Sequence, residues 1–179
     1  MPATPLHCSI AYLINRWKRQ LSLPALLVST IIPDLEIPFT YLVTRGLQHR
    51  LVLHSMLGAA TIGTFLSVLL TVFLYPSVVS FFFKLDKEKV EEKCRLSGSL
   101  VALCFFGVLS HVWIDSLHHE FNPILYPFIE ESFDGLVLMG DWALATVIVT
   151  SVLLAILLFF FVDQLRKGTR DFWMRILVG

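Results

Sequence analysis

Within one stretch of the chain, SHVWIDSLHH, stand His111, Asp115, His118 and His119. On a helix, positions 111, 115 and 118 are spaced i, i+4 and i+7, so their side chains share one face within about two turns. Imidazole and carboxylate groups converging at the end of an apolar helix are how a protein holds a divalent metal ion. The other histidines are His7, His49 and His54, accompanied by Asp34, Glu36 and Arg50. These lie far apart along the chain, so a common site requires elements that bring them together.

Composition says what those elements are. The 179 residues are 56% hydrophobic and only 16% charged, with a mean hydropathy of +0.74; a soluble domain would carry about 25% charged residues. The expectation is an all-α integral membrane protein forming a single domain over 1–179. A formal net charge of zero argues against a nucleic-acid partner. The three cysteines (Cys8, Cys94, Cys104) supply no disulfide framework. Cys8 adjoins His7 and reads as a small buried thiol or a further ligand.

Three runs, 51–75, 97–115 and 142–162, approach or exceed the roughly 20 apolar residues that cross a bilayer. Residues 6–33 form two shorter apolar pieces around Arg16, Lys18 and Arg19, which predicts a short helical hairpin and about five membrane helices in all. Lys and Arg then set the orientation. Lys84, Lys87, Lys89, Lys93 and Arg95 fill one loop, and Arg166, Lys167, Arg170 and Arg175 the tail over 163–179. The segment 116–141 instead holds Glu120, Glu130, Glu131, Asp134 and Asp141 without a Lys or Arg. Placing the basic segments in the cytoplasm leaves only Arg45 and Arg50 of fourteen basic residues outside. The chain is thus expected in a cell (inner or plasma) membrane, multi-pass, with a cytoplasmic C-terminus. Histidines and acids took no part in that assignment, yet they gather at the outer ends of the helices.

Each candidate also has a plainer reading. His7 can rest at the interface, Asp34 can cap the segment after Pro33, and Arg50 can snorkel to lipid phosphates. At least one of His118 and His119 is expected to be merely solvated. His111 and Asp115 resist such a reading, because an ionisable pair one turn apart in an apolar span is costly unless partnered.

In order, the motifs are His7, Pro33-Asp34-x-Glu36, His49-Arg50-x-x-x-His54-Ser55, His111-x-x-x-Asp115-Ser116 and Tyr126-Pro127. This order resembles the YdjM-like membrane-bound proteins called metal-dependent hydrolases. It is also similar to a related bacterial and archaeal family of unknown function, through Thr4-Pro5-Leu6-His7 and Leu23-Pro24-Ala25-Leu26-Leu27. The resemblance covers roughly 3–127, the last span being only generically similar. Glu36 and Leu53 stand where the first family usually has Asp and Thr. The resemblance implies a bound metal more strongly than any one reaction.

His and carboxylate ligands suit Zn²⁺, with Mn²⁺ or Fe²⁺ as alternatives, as one or two ions. Asp34, His54, His111 and Asp115 are the expected ligands, with His7 a fifth. Glu36 reads as a ligand or general base, and His118 as a group that orients a ligand or shuttles a proton. Arg50, one turn from His54, could hold a phosphate, which favours a lipid or phosphoester substrate among membrane lipids at the outer leaflet. The 116–141 segment reads as a lid or a plain connector. Two other readings stay open: a non-catalytic metal-binding membrane protein, and a structural subunit whose polar cluster is an interhelical hydrogen-bond network.

Overall fold

The structure is a computed structural model describing residues 4–18, 20–45 and 50–179; Arg19 and His49 lie outside the described residues. Its elements are all helical, with no strand among the described residues. After a 3-10 turn Thr4–His7 come α1 (Cys8–Trp17) and α2 (Leu23–Ser29), the expected hairpin. A second 3-10 turn, Ile32–Leu35, leads into α3 (Glu36–Val43). Then follow α4 (Met56–Phe83), α5 (Lys87–Lys93), α6 (Gly98–Ser116), α7 (Trp142–Arg166) and α8 (Phe172–Leu177). Helices α4, α6 and α7 are long and apolar enough to cross a membrane; α2 and α3, bent by 41°, would together make a fourth span.

Local chemistry accounts for the helix starts. Ser22, Ser55, Ser97 and Asp141 each cap the helix that follows, their side-chain oxygens accepting main-chain N–H groups of the first turn. The first span was expected over 51–75 but begins five residues later, because the N–H groups of Leu51 and Leu53 bond to Glu36 and not into a helix. It also runs on past residue 75. A π turn, Leu70–Leu74, ends two residues before Pro76, whose ring and missing N–H disturb the ordinary i→i−4 ladder. Phe81 and Phe82 then face outward. Helix α3 is an element the sequence reading did not anticipate. Its Phe39, Leu42 and Val43 are exposed, an apolar surface consistent with lipid contact.

Helix α2 sits in the middle, packed against α6, α1 and the central part of α4, while α1 packs on α7. The α2–α6 crossing is very close: a Cβ added at Gly107 would stand 1.8 Å from Ser29 Oγ. Small residues permit such an approach in membrane bundles. One end of the bundle collects the basic segments, where Arg16 pairs with Asp163 at 3.2 Å and Ser22 Oγ donates to the Lys93 carbonyl at 2.7 Å. His7, Asp34, His54 and Asp115 lie at the opposite ends of α1, α2, α4 and α6.

Candidate metal centre

Five segments each deliver part of the cluster. His7 closes the turn before α1, Asp34 lies in the turn after α2, and Glu36 opens α3. Arg50 and His54 come from the stretch before α4, and His111 and Asp115 from the last two turns of α6. The chain then turns tightly, with His118 N–H and His119 N–H both donating to the Asp115 carbonyl. His7, His54, His111, Asp115, His118 and His119 are each no more than 7% exposed.

Three imidazoles are held in one way. His54 Nδ1 lies 2.9 Å from Glu36 Oε1, His111 Nδ1 lies 2.8 Å from the Thr30 carbonyl and His118 Nδ1 lies 2.8 Å from the Ile114 carbonyl. A carbonyl or a carboxylate can only accept, so Nδ1 carries the proton in each ring and Nε2 carries the lone pair. All three Nε2 atoms are buried without a hydrogen-bond partner, as are both carboxylate oxygens of Asp115. Metal-binding histidines are fixed in this way, with one nitrogen tied back and the other free for the ion. Burial, with His119 close by, lowers the His118 pKa to about 4, and burial lowers that of His119. Both rings are therefore neutral and able to donate a lone pair at neutral pH.

The distances fit an ion better than hydrogen bonds. Asp34 Oδ1 lies 3.5 Å from His54 Nε2 and 3.4 Å from His111 Nε2. Asp115 Oδ2 lies 3.6 Å and 3.3 Å from the same two nitrogens. Two atoms bound at about 2.0–2.2 Å to a tetrahedral ion stand roughly 3.3–3.6 Å apart. Asp34, His54, His111 and Asp115 thus form one group able to hold a metal, and Asp115, His118 and His119 a second. His7 Nε2 joins the second side, 3.3 Å from Asp115 Oδ1, and its ring stacks on His111 at 4.0 Å.

Glu36 stands behind this gap. Its Oε1 accepts from Leu51 N–H and His54, its Oε2 from Leu53 N–H, with both main-chain bonds 2.6 Å long. Arg50 is buried, with Nη1 3.0 Å from Asp115 Oδ2 and Nε without a partner. The expectation that His118 or His119 is simply solvated is not met: both are buried beneath the segment after α6. That segment is fastened by Asn122 Nδ2 donating to the His119 carbonyl at 2.8 Å, Leu138 N–H to the Leu117 carbonyl, and Met56 N–H to the Ile124 carbonyl. Sequence reasoning passed over His119 as an inward-facing group, although its i+4 spacing from Asp115 pointed to it. It also missed Thr30, which acts through its main chain and so leaves no side-chain signal.

With the geometry in place, comparison with known proteins decides the family. The sequence model of the YdjM inner membrane protein family matches residues 6–178. The chain belongs to that family. No curated protein and no solved structure matches it. The YdjM match continues through α7 and α8, well beyond the residues 3–127 on which the motif resemblance rested. In this YdjM family chain α7 contributes none of the candidate ligands, yet Thr146 Oγ1 donates to the His118 carbonyl at 2.6 Å and secures the turn carrying the second group.

Proposed function

We propose that this protein is a membrane-embedded metal-dependent hydrolase acting on a phosphoester or lipid substrate at the extracytoplasmic face of the membrane. One observation carries the reading: three buried histidines with Nδ1 tied back and Nε2 unpartnered surround a carboxylate whose oxygens accept no hydrogen bond, Oδ2 being ion-paired with Arg50 alone among the cations described. A structural hydrogen-bond network would leave those atoms bonded to one another. A bound divalent ion supplies Lewis acidity and brings the pKa of a coordinated water from 15.7 to about 7.

Asp34, His54, His111 and Asp115 would hold that ion, with Zn²⁺ the best match to the donor set and Mn²⁺ or Fe²⁺ next. Glu36 fixes the tautomer and direction of His54, acting as a positioning residue with its oxygens already engaged. Arg50 offers a guanidinium beside Asp115, suited to a phosphoryl oxygen. The exposed apolar surfaces of α3 and of the 117–141 segment, including Phe39, Phe128 and Met139, support an amphiphilic substrate. The Lys/Arg distribution supports a centre facing outside, with the basic end in the cytoplasm.

Elemental analysis of the detergent-purified chain, beside His111→Ala and Asp115→Ala checked for monodispersity, tests the reading together with a phosphoester turnover screen. Zn, Mn or Fe in the wild type, with turnover lost in folded variants, is the expected result. A metal-free wild type after add-back, or metal with no turnover across phosphomonoesters, phosphodiesters and lipid phosphates, would overturn it.

A further inference from the structure

The two groups of ligands meet at one residue. Asp115 Oδ2 faces His54 and His111 at 3.6 and 3.3 Å, whereas Asp115 Oδ1 faces His7, His119 and His118 at 3.3, 3.4 and 3.9 Å. Neither oxygen accepts a hydrogen bond, and Oδ2 is also ion-paired with Arg50 Nη1 at 3.0 Å. We propose that Asp115 is a bridging carboxylate between two divalent ions, one held with Asp34, His54 and His111 and the other with His118, His119 and His7. The inference rests on the metal-dependent reading above and adds the number of ions and their shared ligand.

Geometry favours two sites over one. A single ion among Asp34, His54, His111 and Asp115 Oδ2 leaves His118 and His119 with buried, unpartnered Nε2 atoms facing the far oxygen of Asp115. A second ion would engage them. Two-metal sites that displace phosphoryl groups hold their ions about 3.5–4 Å apart, a separation one carboxylate can span. His118 then becomes a ligand, where sequence spacing suggested a proton shuttle.

The test is metal stoichiometry and spin coupling in the full-length, detergent-purified chain loaded with Mn²⁺ alone. Expected are two Mn²⁺ per chain by elemental analysis and an exchange-coupled low-temperature EPR spectrum. The double variant H118A/H119A should retain one ion with an uncoupled six-line signal. One ion per wild-type chain, or two without coupling, overturns the bridge without recourse to any variant. Turnover is scored separately: coupled ions without hydrolysis refute the hydrolase reading alone, and hydrolysis with a single ion refutes the bridge alone.

Discussion

Glu36 Oε1 and His54 Nδ1 stand 2.9 Å apart, with the other hydrogen bonds of that carboxylate coming from the main chain of Leu51 and Leu53. One side chain therefore aims a ligand and shapes the approach to α4. Glu36→Gln keeps the size but sets an amide N–H₂ against a main-chain donor. Metal affinity should fall about 10–100-fold while the chain stays folded. Titration of metal into the stripped variant, with Tm as the folding control, checks this; unchanged affinity would deny Glu36 its orienting role.

Arg50→Lys keeps the charge and loses the planar fork. If Arg50 holds a phosphoryl oxygen, KM for a phosphoester should rise about 10–100-fold, the equivalent of one charge-assisted hydrogen bond. Metal content should be unaltered. A variant that loses metal instead would show that Arg50 supports Asp115 and not the substrate.

Gly107→Ala drives a methyl into Ser29, whose Oγ and Cβ would lie 1.8 and 2.8 Å away. Overpacking of this type costs about 1–3 kcal/mol. It should also move the Thr30 carbonyl from His111, so that Tm and metal content fall together. Adding Ser29→Gly removes the obstructing atoms and should recover both. Failure of that rescue would mean the α2–α6 approach does not set the site.

Chelation tests the ion as a structural partner. An ion that binds only the folded chain adds about 2.7 kcal/mol at a hundred times its Kd, which for a chain of this size is a rise of roughly 5–10 °C in Tm. EDTA should abolish that rise in the wild type and Zn²⁺ restore it. Asp115→Ala, which removes the ligand common to both groups, should respond to neither.

Orientation is open to labelling, because Cys8, Cys94 and Cys104 are all buried. A membrane-impermeant maleimide added to intact cells should modify Glu130→Cys and spare Lys89→Cys. The reverse pattern would turn the whole chain over and place the metal centre in the cytoplasm.

Much of the centre could be read from spacing. His111 and Asp115 share a helix face by simple periodicity, and Lys and Arg alone divided the segments into the two groups that the fold separates. Three features escaped for identifiable reasons. The orientation of His111 depends on the carbonyl of Thr30, which any residue there would offer. The late start of α4 depends on a carboxylate fifteen residues upstream of Leu51 competing for main-chain donors, a tertiary effect that local pattern does not carry. Burial of His118 and His119 results from a long segment returning over them, held by main-chain and amide bonds that polar composition does not foretell.

Helix α2 is fastened at both ends. Ser22, its cap, donates to the Lys93 carbonyl at 2.7 Å, and Thr30, just past its last turn, receives His111 at 2.8 Å. With only seven residues between its caps, it works as a stiff strut joining the basic loop to the histidine cluster. A protein, lipid or modification that pulls on the loop around Lys93 would therefore be felt at the Thr30 carbonyl and the His111 ring it holds, on the far side of the bundle from the point of contact.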